Sequence, residues 1–329
     1  MLKTAFVRSL SIAAALVAVL LLNTLLLHAA SQGQAAPPQV SADIQQATAL
    51  AREGKTADAL AAIKRELESN PTSARAANLL DTLGATAEAK VVFQRIIDAA
   101  PDPAAKATAQ RAMAMSYAFD GDCANTVKYE QQAIAYWATR EQAEPQNAFF
   151  QQGELANEAA RVCIDAGDLT AAERWYRAGA ELGMKEPGPQ THAKGLWQFR
   201  LAHALGRLAA RRGNKAEAQR QVDAARAALD GDAAMAAQQE RFFPYLVGYV
   251  ALYTNDLKTA EAELTKAIGI AGNQNDPFML SLLAMTCEKQ GLDAKARDLY
   301  SKAYAMAMAH NPPAAFVRRV ARTKVAGSR

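Results

Sequence analysis

The chain has few of the residues that build metal centres, redox sites or sheets. Of its 329 residues only three are cysteine and four histidine, with no Cys-x-x-Cys pair and no close histidine cluster. That leaves no set of ligands at zinc spacing. His192 and His203, eleven positions apart, lack a third ligand and read as surface or groove histidines. Aromatics make up 7% of the chain, so the apolar half of the composition rests mainly on Ala, Leu and Val. This helix-leaning mixture excludes an all-β fold. Charged residues at 21% and a net charge of +4 point neither to general disorder nor to a nucleic-acid-binding surface. Catalytic signatures are missing as well: no G-x-S-x-G elbow, no phosphate loop, no G-x-G-x-x-G after a strand and no H-E-x-x-H. The expectation is therefore a protein that is not an enzyme and needs no metal or cofactor.

What is present starts with a membrane-directed N-terminus. Lys3 and Arg8 precede an apolar run from Leu10 to Leu27, followed by a Gln/Gly/Ala/Pro spacer reaching Pro38. The run exceeds the roughly 7–15 residues of a typical signal core and approaches the roughly 20 that span a bilayer. Residues 1–31 thus read as a signal peptide, cut before Gln32 after the small pair Ala29 and Ser31, or as a retained transmembrane anchor. Residues 32–40 read as a linker. The basic flank stays cytoplasmic under the positive-inside rule, so both alternatives export the remainder, to a periplasm as a soluble or anchored protein.

The remainder is self-similar. Seven segments align on a turn residue: Gly54, Gly84, Gly121, Gly167, Gly213, Asn255 and Gly291. Seven residues earlier stands a small residue each time, Ala47, Ala77, Ala114, Ala160, Gly206, Gly248 and Ala284. Four residues earlier come Leu50, Leu80, Tyr117, Cys163, Ala209, Ala251 and Cys287, all able to pack. Five residues after the turn come Ala59, Ala89, Thr126, Ala172, Ala218, Ala260 and Ala296. Nine after it stand Ile63, Phe93, Glu130, Tyr176, Val222, Leu264 and Tyr300. Several columns agreeing at fixed offsets predict seven helix-turn-helix units, each needing its neighbours to bury its apolar face.

These columns resemble the tetratricopeptide repeat. The last unit carries the likeness best, in Leu283-Ala284, Gly291, Ala296, Tyr300, Ala303 and Pro312. The chain departs from the family in turn spacing, which runs 30, 37, 46, 46, 42 and 36 where the family keeps about 34. It departs also at Glu130, where an aromatic is expected, and at Glu66, where a small residue is usual. The resemblance implies an all-α fold, an α-solenoid of antiparallel helix pairs wound into a right-handed superhelix over residues 41–313. Another α-solenoid or an irregular helical bundle is the alternative. Residues 314–329 read as a basic capping helix and tail, with Phe316, Val317 and Val320 inward and Arg318, Arg319, Arg322 and Lys324 outward.

The resemblance also implies a concave groove, lined by the first helix of each pair, that takes extended peptides. On that face fall Asn157 and Arg161 in the fourth unit, Arg200, His203 and Arg207 in the fifth, and Tyr245 and Tyr249 in the sixth. Arginine forks beside an amide and phenols suit a carboxylate, from a peptide C-terminus or from Asp/Glu side chains. The opposing reading makes Arg200, Arg207 and Arg211 a solvated stripe paired with Glu154 and Glu158, and the tyrosines packing residues. Cys123 and Cys163 stand at helix ends that antiparallel packing brings together, as a disulfide or as two buried thiols.

Three functions remain open. The leading one is an exported adaptor that holds a protein or peptide partner, in an envelope assembly or scaffold role without nucleic acid; membrane contact runs through the N-terminal anchor. The second is a helical accessory part of a cell-wall or glycan-processing enzyme, which would require a Glu in an apolar pocket near a second acid. The third is a structural spacer, favoured if Arg200 is already satisfied by Glu154 or Glu158.

Overall fold

The seven turn residues dictate the local architecture. Each adopts the left-handed backbone, with φ from 67° at Asn255 to 93° at Gly167. In every unit the N–H just after the turn donates to the carbonyl four residues before it, at 2.9–3.0 Å, closing the Schellman pattern that ends a helix. In four units the residue after the turn then starts the next helix, the side chains of Asp122, Asp168, Asn214 and Asp256 accepting from the backbone N–H three positions on. A two-residue punctuation thus ends one helix and caps its partner.

The computed structural model describes residues 40–193 and 195–326. The signal or anchor segment, and all of the linker but Val40, lie outside the described residues. No described helix is long and apolar enough to cross a membrane. The chain divides into residues 1–42 and a compact unit, residues 43–329, that carries the helix pairs.

The first four pairs are α1 (Ala42–Arg52) with α2 (Thr56–Ser69), α3 (Ala74–Leu83) with α4 (Thr86–Asp98), α5 (Pro103–Asp120) with α6 (Cys123–Ala138), and α7 (Pro145–Ala166) with α8 (Leu169–Gly183). After α9 (Leu196–Arg211) and α10 (Lys215–Asp230) comes a short helix that the repeat pattern does not show, α11 (Ala233–Gln239), running through a 3₁₀ turn into α12 (Phe243–Tyr253). Then follow α13 (Leu257–Gly269), α14 (Pro277–Lys289), α15 (Asp293–Met306) and α16 (Pro312–Ala326). There is no strand among the described residues. Consecutive helices pack on one another in chain order, a solenoid-like all-helical arrangement.

The core is the column pattern made solid. All residues seven before, five after and nine after the turns are buried, Glu130 and Thr126 included. Small residues matter because the helices approach closely: a Cβ on Gly248 would sit 2.7 Å from Leu264 Cγ, the packing residue of the same pair.

The C-terminal helix differs from its sequence reading. It packs on the last pair, as a cap does, and also against α5, α7 and α3, far upstream in the chain. Phe316 and Val317 are buried as expected and Val320 is half-buried, but Arg318 is not outward. Its Nε–H donates to the Ala307 carbonyl at 2.8 Å and its guanidinium lies 4.1 Å from the Tyr304 ring centroid. Alanines at 314, 315 and 321 let α16 settle into a core shared with Met115, Phe119, Val162 and Tyr300. Arg319 pairs with Asp165 of α7, and Lys324 with Glu288 of α14.

Candidate functional site

The first helices of the pairs line a shared inner face, where three cavities adjoin. One of about 370 Å³ lies over α5 and α7, bordered by Arg111, Met115, Glu158 and the His310–Pro312 segment. One of about 380 Å³ lies beneath α16, bordered by Arg211, Tyr249, Phe316 and Arg319. Between helices α7, α9, α12 and α14 sits a chamber of about 210 Å³. Arg161 borders all three.

Six of the seven expected groove residues line the smallest chamber: Asn157, Arg161, Arg200, His203, Arg207 and Tyr245. Tyr249 does not; it borders the cavity beneath α16. The seven do not form one open surface stripe. His203, Arg207, Tyr245 and Tyr249 are all buried, so an extended peptide laid along the face cannot reach most of them. Burial also raises the pKa of both tyrosines.

The charges divide by partner. Arg200 pairs with Glu154, the pairing named as favouring the spacer reading, and lies over the Trp197 and Phe150 rings. Glu158 instead takes Arg111, at 2.7 Å. Arg207 is no solvated cation: its Nη groups donate to Tyr176 Oη at 3.0 Å and Tyr245 Oη at 3.3 Å, its Nε–H to the His203 carbonyl, and it has no carboxylate partner among the described residues. Three phenol faces surround it, with ring centroids 5.4–5.8 Å away. Asn157 and Arg161 make no hydrogen bond and no ion pair among the described residues. His203 sits between Phe199 and Tyr245 with Nε2 unpartnered. Burial, then the Arg207 charge, holds its pKa well below the usual histidine value, so the ring is neutral.

Two residues carry chemistry that the sequence reading placed only as a pattern break or not at all. Glu130 occupies a core column, so its carboxylate is fully buried with neither oxygen hydrogen-bonded. Burial, then the nearby Glu158 charge, pushes its carboxyl well above the usual carboxylate range against the partial relief of Arg111. A buried Glu near a second acid is what the enzyme reading asked for, yet Glu130 lines none of the three cavities and offers no face to a substrate. Asp276 borders the chamber but is engaged as the N-cap of α14, accepting from the Phe278 and Met279 N–H groups. The Asp276-Pro277 pair was a legible helix-start signal.

Cys123, at the start of α6, and Cys163, near the end of α7, form a disulfide with a Cα–Cα distance of 4.7 Å. Cys287 is a buried free thiol. No group of His, Cys, Asp and Glu among the described residues is arranged to hold a metal ion. Compared with known proteins, the chain matches no family model and no curated protein.

Proposed function

We propose that this chain is an exported, non-catalytic adaptor of the tetratricopeptide type, which holds an extended segment of a partner protein in an envelope assembly or scaffold role. The segment lies in the 370 Å³ cavity over α5 and α7 and presents a carboxylate to Arg161. One observation carries the reading: Arg161 stands at the meeting of three cavities and Asn157 borders two of them, with neither an ion pair nor a hydrogen bond among the described residues. A guanidinium left without a carboxylate on a concave face is matched by a ligand that brings one.

The test is in-cell crosslinking and co-purification from membranes, comparing wild type with an Asn157→Ala, Arg161→Glu double variant of unchanged helicity. Arg207 is unsuitable for this test because its loss would collapse the phenol cluster. Loss of one specific partner supports the adaptor. Identical partners from both proteins remove it and leave the spacer, the reading that the Arg200–Glu154 pair and the seating of α16 favour.

A further inference from the structure

The cavity beneath α16 shares no lining residue with the partner cavity except Arg161, and it is built differently. Its walls are largely apolar: Ile164, Phe278, Leu282, Met285, Phe316 and Val320 line it together with three tyrosines. Leu282, Phe316, Tyr249 and Tyr300 are buried, while Phe278, Met285 and Val320 are half-buried. The charges on these walls are unequal, six cations against two acids. Both acids are engaged, Asp165 by Arg319, and Glu288 by Lys324 and by the Tyr300 hydroxyl, which donates at 3.1 Å. Leaving Arg161 to the partner cavity, Arg207, Arg211 and Lys289 have no carboxylate partner among the described residues. Arg211, one turn after Arg207 on α9, donates to Tyr249 Oη at 3.4 Å and lies 4.9 Å from the Tyr253 ring centroid. Only one of its five N–H groups is thereby used. Lys289, exposed at the end of α14, makes no hydrogen bond or ion pair among the described residues. The helix ends at Arg211 and Lys289 each carry about half a negative charge, too little to cancel the excess of cations.

An inorganic anion would meet these cations and leave the apolar walls without a partner; a neutral hydrocarbon would do the reverse. We propose that the cavity beneath α16 binds a single-chain fatty acid of about eight to ten carbons. Its carboxylate accepts from the free N–H groups of Arg211, in the field of Lys289, and its chain packs among Leu282, Met285, Phe316 and Val320. A carboxylate suits Arg211 because a guanidinium presents paired N–H groups to its two oxygens. An alkylammonium would add a further cation where both acids are already paired. Size sets the chain length. At about 380 Å³ the cavity falls within the roughly 300–1,000 Å³ of small-molecule sites and has room for about twelve groups of ~30 Å³ each. Each methylene buried there tightens binding by about fourfold. The proposal stands whether or not the chain captures a protein partner.

The experiment is isothermal titration of the whole protein with butyrate, hexanoate and octanoate, and with octylammonium and octanol, all below their micellar concentrations. Affinity should rise with chain length, octanoate binding at least about tenfold more tightly than butyrate. Octylammonium and octanol, with the same chain and a different head, should each bind at least about tenfold more weakly than octanoate. Arg211→Gln should weaken octanoate by about tenfold. Lys289→Gln, on an exposed side chain that the fold does not need, should weaken it by about threefold. Neither substitution should change the affinity for octanol. Absence of octanoate binding to the wild type overturns the proposal, as does affinity independent of chain length, equal binding of octylammonium, or indifference to either substitution. Partner co-purification with the Asn157→Ala, Arg161→Glu variant reports separately on the adaptor reading.

Discussion

His310 and Asp81 meet at 2.9 Å, joining the segment before α16 to helix α3 across 229 positions of chain. Asp81 also accepts from Ser116 Oγ at 2.8 Å, and the His310 ring stacks on Phe119 and tilts against Phe93. This small polar knot sits almost wholly inside the protein and closes the C-terminal segment onto the second and third helix pairs.

His310→Ala leaves the buried Asp81 carboxyl with Ser116 alone. A loss of about 2 kcal/mol in urea unfolding is expected. In a double-mutant cycle with Asp81→Ala the two losses should be clearly non-additive; additive losses would show that the contact carries no stability.

Glu130 should make the protein less stable as pH rises. Its folded pKa stands above the unfolded value of about 4.5, so above that pH the folded state binds the extra proton and stability falls until the folded pKa is passed. Glu130→Gln should remove this slope. Glu130→Leu, which gives the column the apolar residue it otherwise holds, should raise stability by about 1–3 kcal/mol near neutral pH. Urea titrations at acidic and mildly alkaline pH check both.

The Cys123–Cys163 bridge ties the start of α6 to the end of α7 and spans 40 positions. Reduction, or the Cys123→Ala, Cys163→Ala pair, should cost about 2–4 kcal/mol. Melting with and without reductant measures this, and the double variant should show no further response to reductant.

Phe316→Ala tests whether α16 is integral to the fold. Phe316 is 3% exposed and packs edge-on against Phe278, with ring centroids 5.3 Å apart. Truncation should cost about 3–5 kcal/mol and lower the unfolding midpoint in one transition. A loss below about 1 kcal/mol would mean that the helix rests on the inner face without being held there.

Much of the fold was written in local positions, because a helix end is a local event. A left-handed Gly or Asn ends a helix whatever lies elsewhere, so all seven turns were legible, and in four of them the Asp or Asn that follows caps the next helix. Close approach of neighbouring helices demands small residues at fixed offsets, so the core columns were legible too. The cysteine pair was readable as an alternative for the same reason, since it stands at the adjoining ends of neighbouring helices.

The depth of the site was decided only by tertiary structure. Spacing of three and four residues put Arg200, His203 and Arg207 on one stripe, but spacing cannot say what covers a stripe. In the folded protein the phenols of Tyr176 on α8 and Tyr245 on α12 enclose Arg207, while Glu154 takes Arg200. The return of α16 to α3, α5 and α7 is likewise a contact between helices far apart in the chain. In a stacked array the position of the last helix follows from the sum of the repeat-to-repeat steps before it, so no local pattern encodes that His310 arrives at Asp81.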